Sequence, residues 1–327
     1  MTGPPMGVLV MAYGTASGPD DIERYYTDIR GGRPPSPEHL QELKDRYAAI
    51  GNRFPLLDTT RAQAEGLVDR LNAEAGDPNA FRAYLGMKHS APFVAQAIEA
   101  MRAGGVERAV GIVMAPHWSG MSVETYINRV IQATRDDDRC PAFTFVRTYH
   151  DHPAFIAFLA ARVTDALGRL SDEQRASTTV VFSAHSLPVR TVDDGSQRCK
   201  TCDCADSCRY RDGLQETADL VAEQVGLDDY LIAWQSAGRT NDPWWGPPIE
   251  EVIAQLVAGG SDAIVVCSAG FVADHLEILF DLDIEARAIA EEAGVRFERT
   301  EMPNADPEYL DVLATIVREH LVEMSAV

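Results

Sequence analysis

Hydrophobic residues along this chain occur in short, nearly continuous runs that are separated by longer stretches with helical spacing. Eight runs are predicted strands, namely GVLVMAYG, FRAYLGMKHS, AVGIVMAPHWS, FTFVRTYH, TTVVFSAHS, YLIAWQSAG, DAIVVCSAGF and VRFERTEM. Buried strands that alternate with helices are typical of parallel sheets covered by helices on both faces. The order of the runs therefore predicts an α/β protein with two Rossmann-like domains, each a four-stranded parallel sheet flanked by helices.

A long helical stretch, DHPAFIAFLAARVTDALGRL, separates the first four strands from the last four. We therefore predict an N-terminal domain over residues 1–160 and a C-terminal domain over residues 161–327. A chain of 327 residues is long enough for two such domains. The last helical stretch, DPEYLDVLATIVREHLVEM, is expected to pack back across the first domain.

Ligands of open α/β sheets bind at the carboxyl ends of the strands, and polar side chains occupy these positions here. Tyr13, His89, His117, His185 and Gln235 end the first, second, third, fifth and sixth strands. We interpret His89 and His117 as structural. A histidine such as His185 can simply hydrogen-bond its neighbours, but beside a carboxylate it becomes a metal ligand or a proton acceptor near neutral pH.

A second group of candidates lies in ADHLEILFDLDIEA, residues 273–286. Glu277, Asp281 and Glu285 follow at intervals of four and line one face of a predicted helix. Charged helix positions usually form a solvated face, but apolar residues cover nearly all the rest of this helix. Such a helix is buried, and buried carboxylates must be paired or hold a metal. With His275 nearby, the acids could pass a hard or borderline cation from one oxygen to the next.

The charge of the chain restricts its partners. A formal net charge of −21 argues against nucleic acid and against anionic membrane surfaces. The N-terminal residues lack a signal-type pattern, and the longest apolar run, AIVVCSAGFVA, is too short to span a bilayer, so we expect a cytoplasmic protein. An anionic ligand would need local cations. Arginines and tyrosines cluster after the first strand. They form either an exposed basic face or a binding lip, in which the arginines pair with carboxylates of a ligand and the tyrosines flank a flat ring. These residues are Arg30, Arg33, Arg46, Arg53, Tyr25, Tyr26 and Tyr47.

Several of these segments together resemble a known family. VLVMAYGT, IERYYTDIRGGRPP, LKDRYAAIG, APHWS, FSAHSLP, AWQSAGRTNDPWWGP and GFVADHLEILFDLDIE are similar to motifs of the ferrochelatases. The resemblance runs from about residue 7 to residue 323 and is closest to the coproporphyrin III ferrochelatases of Gram-positive bacteria and actinobacteria. It implies a lyase that inserts Fe²⁺ into coproporphyrin III, releases two protons and yields coprohaem in haem biosynthesis.

The resemblance also implies roles for individual residues. His185 and Glu277 match the catalytic pair that binds the metal and accepts protons on one side of the macrocycle. Asp281 and Glu285 match an acidic line that feeds metal in or carries protons out. Tyr13 matches a porphyrin-binding residue on the opposite side of the ring, where it can ligate iron in the product. The positions that match residues holding the macrocycle and its propionates are Arg30, Arg46, Tyr47 and Tyr126.

One position departs from the family pattern, because Phe54 stands where close relatives have a small hydroxyl residue. Two alternative functions remain open from the sequence. A protoporphyrin IX ferrochelatase, or a chelatase for another metal, would keep the His185–Glu277 pair and differ in substrate. A non-catalytic iron or haem sensor on a chelatase fold would use the cysteine-rich loop, residues 193–211, as its switch. The resemblance also favours a monomer.

The cysteines are concentrated in one loop, residues 193–211, whose sequence includes SQRCKTCDCADSCRY. Cytosolic thiols stay reduced, so close spacing indicates a metal site rather than disulfides. Four thiolates can ligate a 2Fe–2S cluster, a 4Fe–4S cluster or one Zn²⁺. Since some ferrochelatases carry a 2Fe–2S cluster, we expect that cluster, with structural zinc as the alternative and a role in stability or in sensing iron and oxidant. The expected ligands are Cys199, Cys202, Cys204 and Cys208, Cys140 could replace one of them, and Cys267 is expected in the core.

Overall fold

The computed structural model describes residues 4–192, 197–200, 209–238 and 240–326. The described strands are β1 (Met6–Ala12), β2 (Phe81–Met87), β3 (Arg108–Val113), β4 (Ala142–Val146), β5 (Thr179–His185), β6 (Val189–Thr191), β7 (Gln197–Cys199), β8 (Tyr230–Gln235), β9 (Ala263–Cys267) and β10 (Arg296–Arg299). All eight strands expected from the hydrophobic runs are present. The short pair β6 and β7, which frames the cysteine-rich loop, was not expected.

Helices fill the connections between these strands. The α-helices are α1 (Ile22–Ile29), α2 (Pro37–Ala49), α3 (Leu56–Ala75), α4 (Val94–Ala103), α5 (Val123–Thr134), α6 (Pro153–Gly168), α7 (Asp172–Ala176), α8 (Tyr210–Val225), α9 (Ile249–Ala258), α10 (Arg287–Glu292) and α11 (Pro307–Ala326). A short 3₁₀ turn covers Pro19–Asp21, and a π-helix covers Ile278–Ala286. Among the helices in the described ranges, none combines the length and apolar character that a bilayer crossing requires.

Two four-stranded sheets form the framework. The first has the strand order β2-β1-β3-β4 and the second the order β10-β9-β5-β8. Every neighbouring pair in both sheets is parallel. The predicted pair of Rossmann-like α/β units is therefore confirmed. In the first sheet the chain adds strands on one side of β1 and then on the other, and in the second sheet it does the same around β5. At such a switch point, between β1 and β3 and between β5 and β9, open sheets leave a crevice for ligands.

Continuous burial explains why the central strands carry uninterrupted apolar runs. β9 is buried at all of its positions, and β5 is buried from Val180 to Ala184. A strand in the middle of a parallel sheet is covered by helices on both faces, so the side chains that point to either face must be apolar. The strand ends differ, because His185 at the end of β5 is partly exposed.

Local signals define the helix ends near the candidate site. α2 begins after Ser36, whose hydroxyl oxygen accepts a hydrogen bond from His39 N at 3.3 Å, and Pro37 occupies its first turn. α8 ends at Gly226, which has a left-handed backbone with φ of 79°. Only glycine adopts this conformation without a steric cost, so the helix stops there.

The two sheets share one hydrophobic cluster. It contains side chains of β1, β3 and α3 together with side chains of β5, β8 and α8, and α6 and α11 contribute to it as well. α11 packs against α3 and α6, as expected for a last helix that returns across the first unit. The predicted division between residues 160 and 161 falls within α6, and that exact position stays a prediction.

A substitution in α11 tests how much this returning helix stabilises the fold. Leu313 is fully buried in the shared cluster, so Leu313→Ala is expected to lower the free energy of unfolding by about 2–5 kcal/mol. Val322 lies on the same helix with 65% of its surface exposed, and Val322→Ala is expected to change stability by less than about 0.5 kcal/mol. Urea unfolding followed by circular dichroism measures both. Equal midpoints for the two variants would contradict a stabilising role for α11.

Candidate active site at the strand ends

A buried polar network holds the ends of three neighbouring strands of the second sheet. The Oε1 atom of Gln235 accepts hydrogen bonds from Ser183 Oγ at 2.8 Å and from Ser268 Oγ at 3.0 Å. The Ser186 amide donates to the Gln235 carbonyl oxygen at 2.7 Å, and the Ser186 hydroxyl donates to the Trp245 carbonyl oxygen at 2.7 Å. Buried hydrogen bonds of this kind hold the strand ends together, although the Nε2 atom of Gln235 has no hydrogen-bond partner among the described residues. His185 lies directly above this network, so its backbone position is fixed.

Glu277 lies between two histidines at the centre of the site. Its Oε1 atom is 3.7 Å from Nε2 of His185, and its Oε2 atom is 3.5 Å from Nε2 of His275. The structure thus brings together His185 and Glu277, which are 92 positions apart in the sequence. His275 adds a second imidazole on the other carboxylate oxygen. The three side chains are partly exposed. The accessible space that they border at the strand ends is called the cleft below.

The second nitrogen of each imidazole is fixed by a backbone carbonyl. Nδ1 of His185 contacts the carbonyl oxygen of Ser186, and Nδ1 of His275 contacts the carbonyl oxygen of Ala273 at 3.0 Å. A carbonyl oxygen only accepts hydrogen bonds, so each Nδ1 must carry the hydrogen. In the neutral ring Nε2 then has a free lone pair facing Glu277. Each histidine is therefore oriented to accept a proton or to bind a metal ion through Nε2.

The environment keeps Glu277 ionised. Desolvation would raise its pKa, but His185, His275 and Arg46 outweigh that effect and lower the pKa to about 2. For His275 desolvation is likewise opposed, mainly by the hydrogen bond and the charge of Glu277, and its pKa is raised. The carboxylate is thus a fixed negative charge at neutral pH that stabilises positive charge on its neighbours.

Asp281 is the buried member of the acidic line. Its exposed fraction is 1%, Arg46 pairs with its Oδ1 atom, and the Ser236 hydroxyl donates to its Oδ2 atom at 2.6 Å. Desolvation raises its pKa to about 7, with Glu277 acting in the same direction and Arg46 and Ser236 acting against it. Asp281 is therefore able to take up and release a proton near neutral pH.

Glu285 is the outer member of the line and is exposed. Its pKa is raised, first by desolvation, while Arg46 lowers it and Glu250 and Glu42 raise it. Glu285 and Asp281 line a cavity of about 580 Å³ whose wall also carries the acids Glu42, Asp45 and Glu250. The cavity lies beside Asp281 and Glu285, whereas Glu277 is absent from its wall. The expectation that all three carboxylates are buried is correct for Asp281 only.

The acidic line lies along a π-helix, which the sequence did not indicate. The predicted element was an ordinary helix with residues at i, i+4 and i+8. The hydrogen bonds of a π-helix run from i to i+5, so each turn holds between four and five residues. Residues four apart therefore stay near one face, and Glu277, Asp281 and Glu285 remain in line. π-helical turns are rare and occur often at functional sites.

Tyr13 extends from the end of β1 in the first unit. The loop that follows is tight, because Gly14 has φ of 98° and a Cβ there would come within 2.6 Å of Ser90 Oγ. The Tyr25 hydroxyl donates to the Gly14 carbonyl oxygen at 2.9 Å. Tyr13 keeps 43% of its surface exposed, and its ring centroid is 4.6 Å from that of His89. The pKa of Tyr13 is raised, first by desolvation and then by the charge of Glu277.

Lys88 is a cation near Tyr13 that sequence reasoning missed. Its Nζ atom lies 5.8 Å from the ring centroid of Tyr13 and 5.3 Å from that of Tyr126. Burial and the nearby Arg129 lower the pKa of Lys88 to about 8. Its position in MKHSAP, one residue before His89 at the end of β2, was the available signal. The aromatic contacts and the lowered pKa place an amine of moderate basicity beside the cleft.

The other porphyrin-binding candidates have different surroundings. Tyr47 and Tyr126 are buried, whereas Arg30 is exposed and its guanidinium lies 5.8 Å from the ring of Tyr26. Phe54, the departure from the family pattern, stacks on Tyr47 with ring centroids 4.5 Å apart. The Phe54 ring thus places an apolar, non-hydrogen-bonding surface beside Tyr47.

Arg46 makes contacts with the acidic line that the predicted role in holding the macrocycle did not include. Besides pairing with Asp281, its guanidinium lies 4.5 Å from the ring centroid of Phe280. The contact joins α2 of the first unit to the π-helix of the second. Arg46 therefore connects the basic segment after β1 with the acidic line.

The interpretation of His89 and His117 as structural agrees with their surroundings. Nδ1 of His89 is 2.7 Å from Asp28 Oδ1, and Nε2 of His117 is 2.9 Å from Thr217 Oγ1. Both side chains are buried. Ser236 was not among the candidates, although it directly follows Gln235 at the end of β8 and the strand-end rule could have indicated it.

The cysteine motif is described only at its first member. Cys199 is buried at the end of β7, opposite Val189 of β6, whereas Cys202, Cys204 and Cys208 lie outside the described residues. Cys140 precedes the amino end of β4, near Asp137, and none of its described neighbours belongs to the cysteine-rich loop. Cys267 is fully buried in β9, as expected.

Solved structures with the same fold define the class. SirB from Bacillus subtilis, solved with Fe³⁺, covers 98% of this chain and 98% of its own with a TM-score of 0.58 and 10% identity. The sirohydrochlorin chelatase SirB from Bacillus subtilis subspecies spizizenii, in complex with cobalt, matches with a TM-score of 0.54 and 9% identity over 97% and 95% of the two chains. The fold is therefore that of the chelatases.

Sequence comparison defines the family. The profile of the ferrochelatase family matches residues 5–321. The coproporphyrin III ferrochelatase of Anoxybacillus flavithermus is 44% identical over 97% of this chain and 96% of its own length. That of Bacillus subtilis is 42% identical over 97% and 98%. The chain belongs to the ferrochelatase family and is thus an enzyme, a metal chelatase of the lyase class.

The titration of Asp281 gives a test of the site's electrostatics. A carboxyl whose pKa is higher in the folded state binds its proton more tightly there, so its contribution to stability falls as pH rises from about 4 to 7. The shift from the ordinary value of 3.8 to about 7 corresponds to a loss of about 4 kcal/mol in the free energy of unfolding over this range. Asp281→Asn should lack this contribution, so the stability of the wild type relative to the variant should fall between pH 5 and 7.

Urea unfolding at several pH values measures this difference. Asp45→Asn is the matched control, because Asp45 is exposed on the wall of the same cavity. That control should keep the pH dependence of the wild type. A constant difference between wild type and Asp281→Asn across this range would show that Asp281 does not titrate near neutrality.

Proposed function

We propose that this enzyme inserts Fe²⁺ into coproporphyrin III to form coprohaem. The observation that carries the proposal is the group formed by His185, Glu277 and His275, which offers Nε2 and carboxylate atoms to one cleft. The relatives named coproporphyrin III ferrochelatase are 42–44% identical over nearly the full chain, which supports this substrate over other porphyrins. In this proposal Tyr13, which is exposed after β1 of the first unit, supplies a phenol on the opposite side of the ring.

The reaction needs acceptors for two protons, because Fe²⁺ replaces two pyrrole N–H hydrogens. His185 has a free Nε2 lone pair when neutral, and the Ser186 carbonyl keeps the ring in that tautomer. Glu277 stays ionised and stabilises the imidazolium that forms when His185 accepts a proton. His275 can hold a proton on the other side of the same carboxylate. The first proton thus moves from a pyrrole nitrogen to Nε2 of His185.

The acidic line gives a path between the cleft and the surface. Glu277 lies at the cleft, Asp281 is buried, and Glu285 is exposed at the cavity. Asp281, with a pKa of about 7, changes protonation easily at neutral pH. In this role it relays protons outward and, when ionised, passes the ferrous ion inward. Arg46 balances its charge when no cation is near.

The cleft also contains groups suited to a flat, anionic ring. Phe54 is a partly exposed aromatic ring that stacks on the buried Tyr47, and Lys88 lies over the ring of the buried Tyr126. Arg30 and Lys88 provide positive charge for propionates. In a chain with a net charge of −21, such local cations must overcome a repulsive overall field. Binding energy from these contacts can contribute to bending the macrocycle toward the metal.

An anaerobic insertion assay tests the proposal. Purified protein receives Fe²⁺ with coproporphyrin III or with protoporphyrin IX, and loss of porphyrin fluorescence gives the rate. We expect turnover of coproporphyrin III and little turnover of protoporphyrin IX. Glu277→Gln removes the charge that stabilises the His185 imidazolium, so its turnover should fall at least about 100-fold.

Glu292→Gln is the control for this variant, since Glu292 is an exposed acid at the end of α10. It should retain wild-type turnover. Preference for protoporphyrin IX would preserve the mechanism and change the substrate. Absence of insertion into either porphyrin by intact protein would favour an iron or haem sensor on the chelatase fold.

We also propose that the cysteine-rich loop holds a 2Fe–2S cluster, with zinc as the alternative. Cys199 is compatible with such a ligand, because it is buried at the base of the loop and a cluster thiolate is kept from solvent there. Cys202, Cys204 and Cys208 would supply the remaining thiolates. A bound cluster offers one-electron chemistry, which metal insertion does not use. We therefore assign it a structural or sensing role.

Replacement of one thiolate distinguishes these possibilities. Cys202→Ser should reduce bound iron and sulfide, abolish the cluster's visible absorption and lower the melting temperature. Cys140→Ser, which changes a cysteine near the amino end of β4, should leave all three unchanged. Zinc instead of iron and sulfide in the wild type would support the structural alternative. Unaltered metal content in Cys202→Ser would rule out this residue as a ligand.

We also propose a monomeric state, which the family resemblance favours, and a cytoplasmic location. Light scattering of the purified protein measures the first. Fractionation of the producing cell measures the second. Neither affects the chemistry assigned to His185 and Glu277.

A further inference from the structure

A second group of metal-binding side chains lies outside the catalytic cleft. His150, Asp151 and Glu216 each offer one donor atom, and these atoms all lie within 4.8 Å of one another. It is the one group of three such side chains found in the described ranges. None of the three residues takes part in the insertion chemistry or in the cysteine motif, so their grouping has a different origin.

Two different units of the fold supply the group. His150 and Asp151 lie in the connection between β4 and α6, just beyond the carboxyl end of β4. Glu216 lies on α8, in the turn after the helix start, and α8 follows directly on the cysteine-rich loop. α6 and α8 also pack against each other. A ligand held by all three residues would therefore connect the first unit to the helix that follows the cysteines.

The spacing of the donors suits a small cation. Nε2 of His150 is 3.2 Å from Oε2 of Glu216. Zn²⁺ binds nitrogen and oxygen at about 2.0–2.2 Å in a tetrahedron, which separates two ligands by roughly 3.3 Å. Asp151 Oδ1 is 3.9 Å from the other ring nitrogen of His150, Nδ1, which also contacts Thr148 Oγ1 at 2.7 Å. Because Asp151 is exposed, its side chain can rotate toward an ion held by Nε2 of His150 and by Glu216. The pair His150–Glu216 thus already has the separation that a bridging ion needs.

A glycine lets α8 lie close to the His150 ring. Gly213 lies one turn before Glu216 on α8, and a Cβ there would come within 3.3 Å of His150 Nε2. A larger side chain would therefore press on the nitrogen that faces Glu216. The absence of a side chain at this helix position is otherwise unfavourable by about 1 kcal/mol relative to alanine.

The buried imidazole of His117 lies next to the His150 ring. His117 is 2% exposed, and its ring centroid is 5.4 Å from that of His150. Nε2 of His117 contacts Thr217, while its Nδ1 atom has no hydrogen-bond partner among the described residues. A buried nitrogen without a partner is costly. An ordered water molecule beside the two imidazoles would satisfy this nitrogen.

We propose that His150, Asp151 and Glu216 form a binding site for a borderline divalent cation, with Zn²⁺ as the reference ion. Imidazole and carboxylate ligands together fit this class of ion, and three protein ligands leave a position for water. The ion takes the place of the proton shared by His150 and Glu216. It also competes with Arg209, whose Nη2 atom lies 3.3 Å from Glu216 Oε2. Binding therefore secures α8 against the β4–α6 connection and releases Arg209, the residue after Cys208.

Zinc stoichiometry in tag-free protein tests the proposal. Equilibrium dialysis against micromolar Zn²⁺, followed by elemental analysis, is applied to wild type, His150→Gln and Glu216→Gln. Other groups also bind zinc, so the measured quantity is the difference between proteins. We expect both variants to bind one zinc ion fewer than the wild type. The matched control is Glu223→Gln, an exposed acid on the same helix, which should bind as much zinc as the wild type.

Stability and turnover provide further readouts. Zn²⁺ should raise the melting temperature of the wild type more than that of Glu216→Gln, and His150→Gln should retain iron insertion. Equal zinc content in all four proteins would overturn the proposal. Loss of turnover along with the zinc in His150→Gln would overturn the separation of this site from the catalytic cleft. Failure of the wild type to insert iron would instead affect the proposed function and leave the zinc difference interpretable.

Discussion

The negative charge of Glu277, held between two imidazoles inside a cleft, is the constraint on which the rest of the site depends. A carboxylate that leaves water is destabilised unless nearby groups compensate. His185 and His275 provide this compensation, and each is turned toward Glu277 by a backbone carbonyl at its other nitrogen. The strand end of β5 and the turn before the π-helix must therefore keep a fixed spacing. The network around Gln235 serves that requirement by connecting β5, β8 and β9.

Neighbouring carboxylates in this site differ in protonation because their partners differ. Glu277 faces two imidazoles and has a pKa near 2, whereas Asp281 is more deeply buried and has a pKa near 7. Environments that separate the pKa values of two acids often assign them different roles. Here the inner acid is a fixed charge and the next acid is able to exchange protons. Arg46 keeps the buried member from being an isolated charge and at the same time connects the two α/β units.

The connections between the units also link the proposed cofactor loop with the catalytic histidine. β6 begins four residues after His185, and Cys199 on β7 pairs with it. On the other side of the loop, the Tyr210 hydroxyl donates to the His185 carbonyl oxygen at 2.9 Å. The helix that follows the loop thus contacts the strand end that carries His185. Glu216 of the His150 group lies on the same helix as Tyr210, nearly two turns further on, so a cation there would act on the same helix.

The sequence by itself determined the α/β class, the eight strands of the two sheets and the membership of the acidic line. These properties depend on local spacing, since continuous apolar runs indicate buried parallel strands and acids at intervals of four share a helix face. It also indicated His185 and Glu277, through the strand-end rule and the family motifs. Only the tertiary structure decided that His275 shares the carboxylate, that Arg46 pairs with Asp281 and that Lys88 lies between two tyrosine rings. These contacts join residues up to 235 positions apart, and their strength depends on burial and distance, which no local pattern of residues specifies.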